Sequence, residues 1–459
     1  MNFTGRKELK NYDGFSGGIF SRSDITRLLV PLIAELLLSY LVGLADSVMV
    51  ASAGEAAVSA VSLVDSISVL MVNIFSALAG GGAIVCGQYL GRSDEKRSRG
   101  SAVQLIGVLF WSSLAINILL LLFKGPLLGV LFGQADEEVR RNCNIYYSIV
   151  MCSVPFIALY NGGAAIFRTS GDSRTPMRVS VIMNIINIFG NALLIYVFHM
   201  GVAGVAIPTL VSRAAAMLII SIPLFRKQFT LNLRGLFSSR PDWHVVKNIL
   251  SMGVPNALEG GMFQFGKLLL MSLVSTLGTA SITANAIGNT VGNLHCVIGM
   301  AGNTALVAIV SRCAGAGDYK QARFYTSYLM NLIYKFQGIE CIALMAAIPL
   351  INKIYGISAE TAVLATRIML IHGIGSLFLW PLAFVLNTAM RAAGDAAYAM
   401  IISSLAMWIC RVMLSYIFIL AFGCGVLTIW IVWLVDWLFR IAFFIPRWVG
   451  TVWETKAVK

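Results

Sequence analysis

The chain has 459 residues, of which 58% are hydrophobic and only 12% charged, and its mean hydropathy is +0.81. Soluble domains carry roughly 25% charged residues, so this chain lacks the polar surface to face water all round and reads as a polytopic, all-α membrane protein. Its net charge of +13 reads as the positive-inside bias of membrane proteins and not as a sign of nucleic acid as a partner, and its eight scattered cysteines form neither a CxxC pair nor a metal-ligand spacing.

The first 24 residues contain no apolar core of roughly 7 to 15 residues, so they are expected to form a basic cytoplasmic tail and not a signal peptide. Apolar stretches of about 20 residues, enough to span a bilayer, follow near 26–50, 56–90, 102–123, 143–167, 178–198 and 202–225. These make an N-lobe, residues 25–225. A polar stretch, 226–245, then reads as a cytoplasmic linker. Six further spans near 246–276, 281–311, 324–351, 362–390, 398–421 and 425–446 make a C-lobe, 246–446, followed by a tail, 447–459. Twelve transmembrane helices are thus expected.

Lys and Arg concentrate on alternate loops. Arg92, Lys96, Arg97 and Arg99, then Arg168, Arg174 and Arg178, and later Arg312, Lys320 and Arg323 share a side with Arg6, Lys7 and Lys10, and with Arg440, Arg447, Lys456 and Lys459 at the end. The other side holds Lys124, Arg140, Arg141, Lys353 and Arg367. This bias predicts a cell-membrane protein with both termini cytoplasmic.

Pro31 through Asp94 is matched by Pro255 through Asp318 at a constant offset of 224, so that Glu35 falls on Glu259 and Gly54 on Gly278. FRTSGD at 167–172 returns as MRAAGD at 390–395. The chain is therefore two copies of a six-helix unit, and an even helix number makes them parallel repeats about an axis along the membrane normal.

Depth can be counted from the outer turns at Gly54 and Gly278, at about 1.5 Å per helical residue. Asp46 comes to about 12 Å, and Asp65 and Lys267 to about 16 Å, near the middle of a core about 30 Å thick. Charges there are costly and must face protein or a water-filled cleft. Asp65 and Lys267, at one depth on opposite lobes, either pair across the cleft, find partners within their own lobes, or meet water or substrate. Glu35 and Glu259 fall about 28 Å deep, near the inner edge, where they either satisfy local helix ends or form a symmetric inner gate. Asn184, Asn187 and Asn191 are spaced i, i+3, i+7 on one helical face, and Asn285, Asn289 and Asn293 are spaced i, i+4, i+8 on another. Tyr40, Met71, Met262 and Phe263 are candidates for lining an adaptable cavity. His295 reads as a hydrogen-bonded core histidine. The glycine triplet 80–82 reads as a close helix contact.

VGLADSVMVASAG in the first span, QYLGRSD after the second, and FRTSGDSRTPM with its echo MRAAGD resemble the multidrug and toxic compound extrusion (MATE) family over about residues 25–445. The resemblance implies a V-shaped exporter of two helical lobes that exchanges a lipophilic or cationic small molecule for protons or sodium ions by alternating access. It implies that Asp46 titrates or binds the coupling ion together with Asn184, Asn187 and Asn191, and that Arg411 contacts backbone carbonyls. The family often has an aspartate where Asn191 stands. Sodium loses a charged oxygen ligand by that change, so protons are the expected coupling ion. A second-lobe cation site is expected to be missing, since Phe263 and Gln264 stand where one carboxylate should be.

No cofactor, metal or obligatory protein partner is expected beyond the bilayer and the transported solute. A lipid-linked precursor flippase of the same superfamily would need a more basic cleft. An intramembrane enzyme would need a convergent motif such as HExxH, which does not occur, or a GxSxG set between a strand and a helix; the GFSGG at 14–18 lies in the N-terminal tail, ahead of the first apolar span.

Overall fold

A computed structural model describes residues 14–52, 54–132, 136–236 and 240–458. Arg6, Lys7, Lys10 and Lys459 lie outside the described residues. The described chain is all-helical, with no strand. By contacts it divides into two units: Asp24–Ala257, and the residues from Leu258 onward together with the described residues up to Ser23.

In the first unit, α1 (Arg22–Ala51) and α2 (Glu55–Gly91) form a long hairpin, followed by α3 (Glu95–Leu122), the short α4 (Lys124–Phe132), α5 (Glu137–Met151), α6 (Val154–Thr169), α7 (Arg174–Ala192) and α8 (Ala203–Leu224). α7 ends in a π-helical turn over Leu193–Val197. α9 (Trp243–Ser275) begins in this unit and ends in the other.

The second unit continues with α10 (Thr279–Leu294), α11 (Val297–Gly315), α12 (Tyr319–Ala346), α13 (Ile348–Tyr355), α14 (Ala359–Phe378) and α15 (Trp380–Ala392). α16 (Ala396–Leu405), a π-helical segment (Ala406–Met413), α17 (Leu414–Leu420) and α18 (Leu427–Val449) complete it.

Every one of the twelve apolar stretches is helical, but several are broken. α5 and α6 meet at 41° beside Pro155, and α12 and α13 at 54° beside Pro349, where proline removes a backbone donor from the ladder. Among the described residues, nine helices are long and apolar enough to cross a membrane, and eleven spans result when each bent pair counts as one. α9, with 33 residues, is long enough for the twelfth; Asn256, Glu259, Gln264 and Lys267 dilute its hydropathy. Apolar side chains such as Val48 and Trp111 are about 70% exposed, as lipid-facing residues should be.

The repeat is visible in the caps. Gly54 (φ 102°) and Gly278 (φ 86°) precede α2 and α10 in a conformation that only glycine adopts without strain. Asp94 and Asp318 accept from the Arg97 and Gln321 amides, each at 2.9 Å, and start α3 and α12. Within the first unit, Gly81 of α2 lies against the backbone of Gly253 on α9, the close contact expected of the triplet.

Both described chain ends pack on the second unit. Ile19 N donates to Gln321 Oε1 at 2.8 Å and Phe20 N to the Tyr325 hydroxyl at 3.0 Å. Arg323 donates to Glu454 at 2.7 Å and to the Gly450 carbonyl at 2.6 Å.

Candidate functional site

The first unit holds a cavity of about 360 Å³ lined from five of its helices, with Tyr146 of α5 among the lining residues. α1 contributes Val42, Asp46 and Val50, α2 contributes Val58, Val61 and Asp65, α7 contributes Met183, Asn184 and Asn187, and α8 contributes Val205, Thr209 and Arg213. Its wall mixes valines and Met183 with carboxylate, amide, hydroxyl and guanidinium groups, so it offers both apolar contact and polar recognition.

Asp46 is half-buried and its carboxylate is gripped by α7. Asn191 Nδ2 donates to Oδ1 at 3.0 Å. Asn187, with its amide turned so that nitrogen faces the carboxylate, donates to both oxygens at 3.1 and 3.0 Å. The i, i+3, i+7 spacing thus brings Asn187 and Asn191 to one acceptor. Asn184 lines the same cavity, and its amide nitrogen finds no partner among the described residues.

Asp65 faces this cavity too and accepts from the Tyr146 hydroxyl of α5 at 2.9 Å. Arg213 lines the same cavity and donates to Ser153 at 2.8 Å and to Ser68 at 3.5 Å, with no ion pair to Asp65. Neither Tyr146 nor Arg213 was reached from the sequence. An arginine inside the apolar stretch 202–225 was the available signal for one of them.

Glu35 and Glu259 are each held within their own unit. Arg168 Nη2 of α6 donates to both carboxylate oxygens of Glu35 of α1, at 2.8 and 2.9 Å. Glu259 of α9 lies 3.6 Å from Arg391 and 4.0 Å from Arg440, and accepts from Asn387 at 3.2 Å. Arg168 and Arg391 are the arginines of FRTSGD and MRAAGD, so the repeat carries this pair twice.

In the second unit the asparagine stripe is dispersed. Asn285 accepts from Trp430 Nε1 at 3.2 Å, Asn289 donates to its own helix at the Asn285 carbonyl, and Asn293 is exposed. Lys267 has no carboxylate within ion-pair distance among the described residues; its ammonium lies 5.9 Å from the centre of the Phe263 ring. Met262 Sδ accepts from Ser404, Tyr40 is half-buried, and Met71 packs inside the first unit.

Two readings change. Arg411 binds a carboxylate and not backbone carbonyls: it pairs with Asp436, which also takes Arg440 Nε at 3.1 Å. Arg440 is accordingly no loop charge but a buried residue of α18, because Asp436 one turn before it supplies the partner that makes burial tolerable. His295 is fully buried, as expected, with its Nδ1 3.3 Å from His372 Nδ1. Among the described residues no cluster of three or more His, Cys, Asp or Glu could hold a metal ion.

The MatE family pattern matches residues 31–193 and again 255–417, two segments at the offset of the internal repeat. The chain is 24% identical over 449 residues to "Probable multidrug resistance protein NorM" of Thermotoga maritima, covering 95% of this chain and 94% of that protein. It is 25% identical over 438 residues to the transporter YisQ of Bacillus subtilis, covering 93% and 94%. Among solved structures it resembles an outward-facing multidrug resistance MATE family transporter of the MOP superfamily, with a TM-score of 0.85 at 20% identity over 93% of this chain and 94% of the other.

Proposed function

The chain belongs to the MatE family of multi-pass membrane transporters, and from that premise we propose that it is a proton-coupled exporter of lipophilic or cationic small molecules, working by alternating access of its two lobes. The relatives' names support export of toxic compounds, and the cavity supports the solute class. Valines and Met183 offer apolar contact, and Asp46 and Asp65 outnumber Arg213, so the lining favours a hydrophobic cation. Both termini are cytoplasmic in this reading, and the membrane is the cell membrane.

The observation that carries the coupling is Asp46 held by two amide nitrogens. Sodium would need oxygens turned toward it. Here the carboxylate receives N–H donors, an arrangement suited to an anion that gains and loses a proton. When Asp46 is ionised, Asn187 and Asn191 bind it by charge-assisted hydrogen bonds. On protonation these weaken, and the new O–H needs an acceptor. Asn191 Oδ1 is buried without a partner and can supply one if its amide turns. Protonation thereby changes how α1 is fastened to α7. A proton shifts the conformational equilibrium only by binding one state more tightly, and that difference arises from the changing water access of Asp46.

The test is transport by purified protein in vesicles under separately imposed proton and sodium gradients. Uptake driven by protons alone is expected, with Asp46→Asn inactive in transport yet still binding solute. Transport driven by sodium alone, or wild-type rates in Asp46→Asn, overturns the reading.

A further inference from the structure

On the face of the first unit where α2 ends and α3 begins lies a second cavity, of about 480 Å³, between the first turns of α3 and the linker that follows α8. Lys96 and Arg99 approach it from α3, and Lys227 and Arg234 from the linker; Glu95 is its single acidic residue. Among the described residues none of these four cations has a carboxylate within ion-pair distance, since Asp94 nearby is taken by Arg97. The linker is fastened in place and not draped loosely: Arg99 donates to the Arg234 carbonyl at 2.6 Å, Gln104 to the Arg240 carbonyl at 3.0 Å, and Leu233 N to the Leu224 carbonyl at 2.8 Å.

Four cations held around one hollow repel each other, and the arrangement gains stability from an anion that several of them share. The level of the hollow narrows the choice. The apolar run of α3 starts near residue 102, one turn beyond Arg99, and that of α8 stops at Phe225, just before Arg226 and Lys227. The cavity therefore straddles the boundary between hydrocarbon and headgroups, and its lining joins apolar Val103 and Phe229 to the cations. Basic pockets at this level are suited to phosphate-bearing headgroups.

We propose that this pocket between the start of α3 and the linker binds a phosphate-bearing anion, either the headgroup of an anionic phospholipid or a free polyphosphate. The ligand bridges Lys96 on α3 to Lys227 and Arg234 on the linker. It is distinct from the transported solute, whose cavity holds Asp46 and Asp65.

The experiment uses purified full-length protein in detergent micelles doped with phosphatidylglycerol or phosphatidylcholine, with lipid occupancy read by native mass spectrometry, and in parallel labelled inorganic pyrophosphate in equilibrium dialysis. Saturable binding of phosphatidylglycerol over phosphatidylcholine identifies the lipid as the source; binding of pyrophosphate alone identifies the free anion. Each cation near such a ligand contributes about 1 kcal/mol, or roughly fivefold in affinity, so Lys96→Gln with Lys227→Gln should weaken binding about 25-fold. Both lysines are exposed, and the change should leave thermal stability unaltered. Lys227→Gln alone, on the linker and outside any helix, should lose about fivefold. Arg140→Gln with Arg141→Gln, at the start of α5 on the opposite face, should bind as wild type. Wild-type affinity in the Lys96, Lys227 double variant, or no preference for either anion over phosphatidylcholine, overturns the proposal.

Discussion

The buried charges of the second unit make a sharp test of how the fold tolerates ions. Asp436 is fully buried and serves two guanidiniums, Arg411 and Arg440, which are 1% and 2% exposed. Asp436→Asn keeps the shape and removes the charge. Arg440 retains Glu259 at 4.0 Å and donates to the Ser403 carbonyl at 3.2 Å, but Arg411 is left without a carboxylate. Stranding a buried charge costs about 3–5 kcal/mol. At roughly 2–4 °C per kcal/mol for a unit of this size, the midpoint of heat-induced loss of monodisperse protein should fall by about 10 °C. Arg411→Met is expected to be milder, since Asp436 still has Arg440. Combining the two should recover most of what Asp436→Asn loses, because the stranded guanidinium is gone. A double variant no more stable than Asp436→Asn would refute the reasoning.

Glu35→Gln should destabilise more than Glu259→Gln in the same heating assay, because Arg168 Nη2 holds both oxygens of Glu35 at 2.8 and 2.9 Å whereas Arg391 and Arg440 hold Glu259 at longer range. Equal losses would show that the geometry does not set the energy. Gly253→Ala should lower expression and thermal stability, since the new methyl meets Leu78 of α2 and the helices must part, while Gly260→Ala on the same helix, with open space beside it, should be tolerated. Tyr146→Phe should leave stability nearly unchanged but alter solute affinity, as Asp65 loses its hydroxyl donor; unchanged affinity would separate Asp65 from the solute.

The spans, the repeat and the lone carboxylates were legible because each rests on a local pattern: length of apolar run, constant offset, charge in an apolar segment. Asn187 and Asn191 were legible as a face for the same reason, and that face meets Asp46. The partners were not. Arg168 with Glu35, Tyr146 with Asp65, and Asp436 with Arg411 join residues on different helices, and nothing in the spacing along one helix reports on its neighbours. Arg440 was misplaced because a basic residue near the end of the last span looks like a loop charge until Asp436, one turn earlier, is seen to hold it. The breaks at His295 and at Leu379 also escaped notice, since a broken span and a continuous one have the same hydropathy.

The duplication shows which charges the two copies share and which they do not. Residues that both copies keep are those the six-helix unit needs in order to stand: Glu35 and Glu259 with their arginines, the Asp94 and Asp318 caps, and the Gly54 and Gly278 turns. The mid-depth groups are not kept. At the offset of 224, Asp46 corresponds to Leu270, which packs in the apolar core of the second unit beside Ile287 and Trp430. Asp65 corresponds to Asn289, whose amide turns back to its own helix. Glu35 has a counterpart in the same environment. Asp46 and Asp65 have none, and burying them costs energy that the second unit avoids with a leucine and an asparagine. Their presence in one copy agrees with the role proposed for them in the first unit's cavity. On that argument Leu270→Asp would not create a second coupling site; it would place an unpaired carboxylate in an apolar core and unfold the unit that carries it.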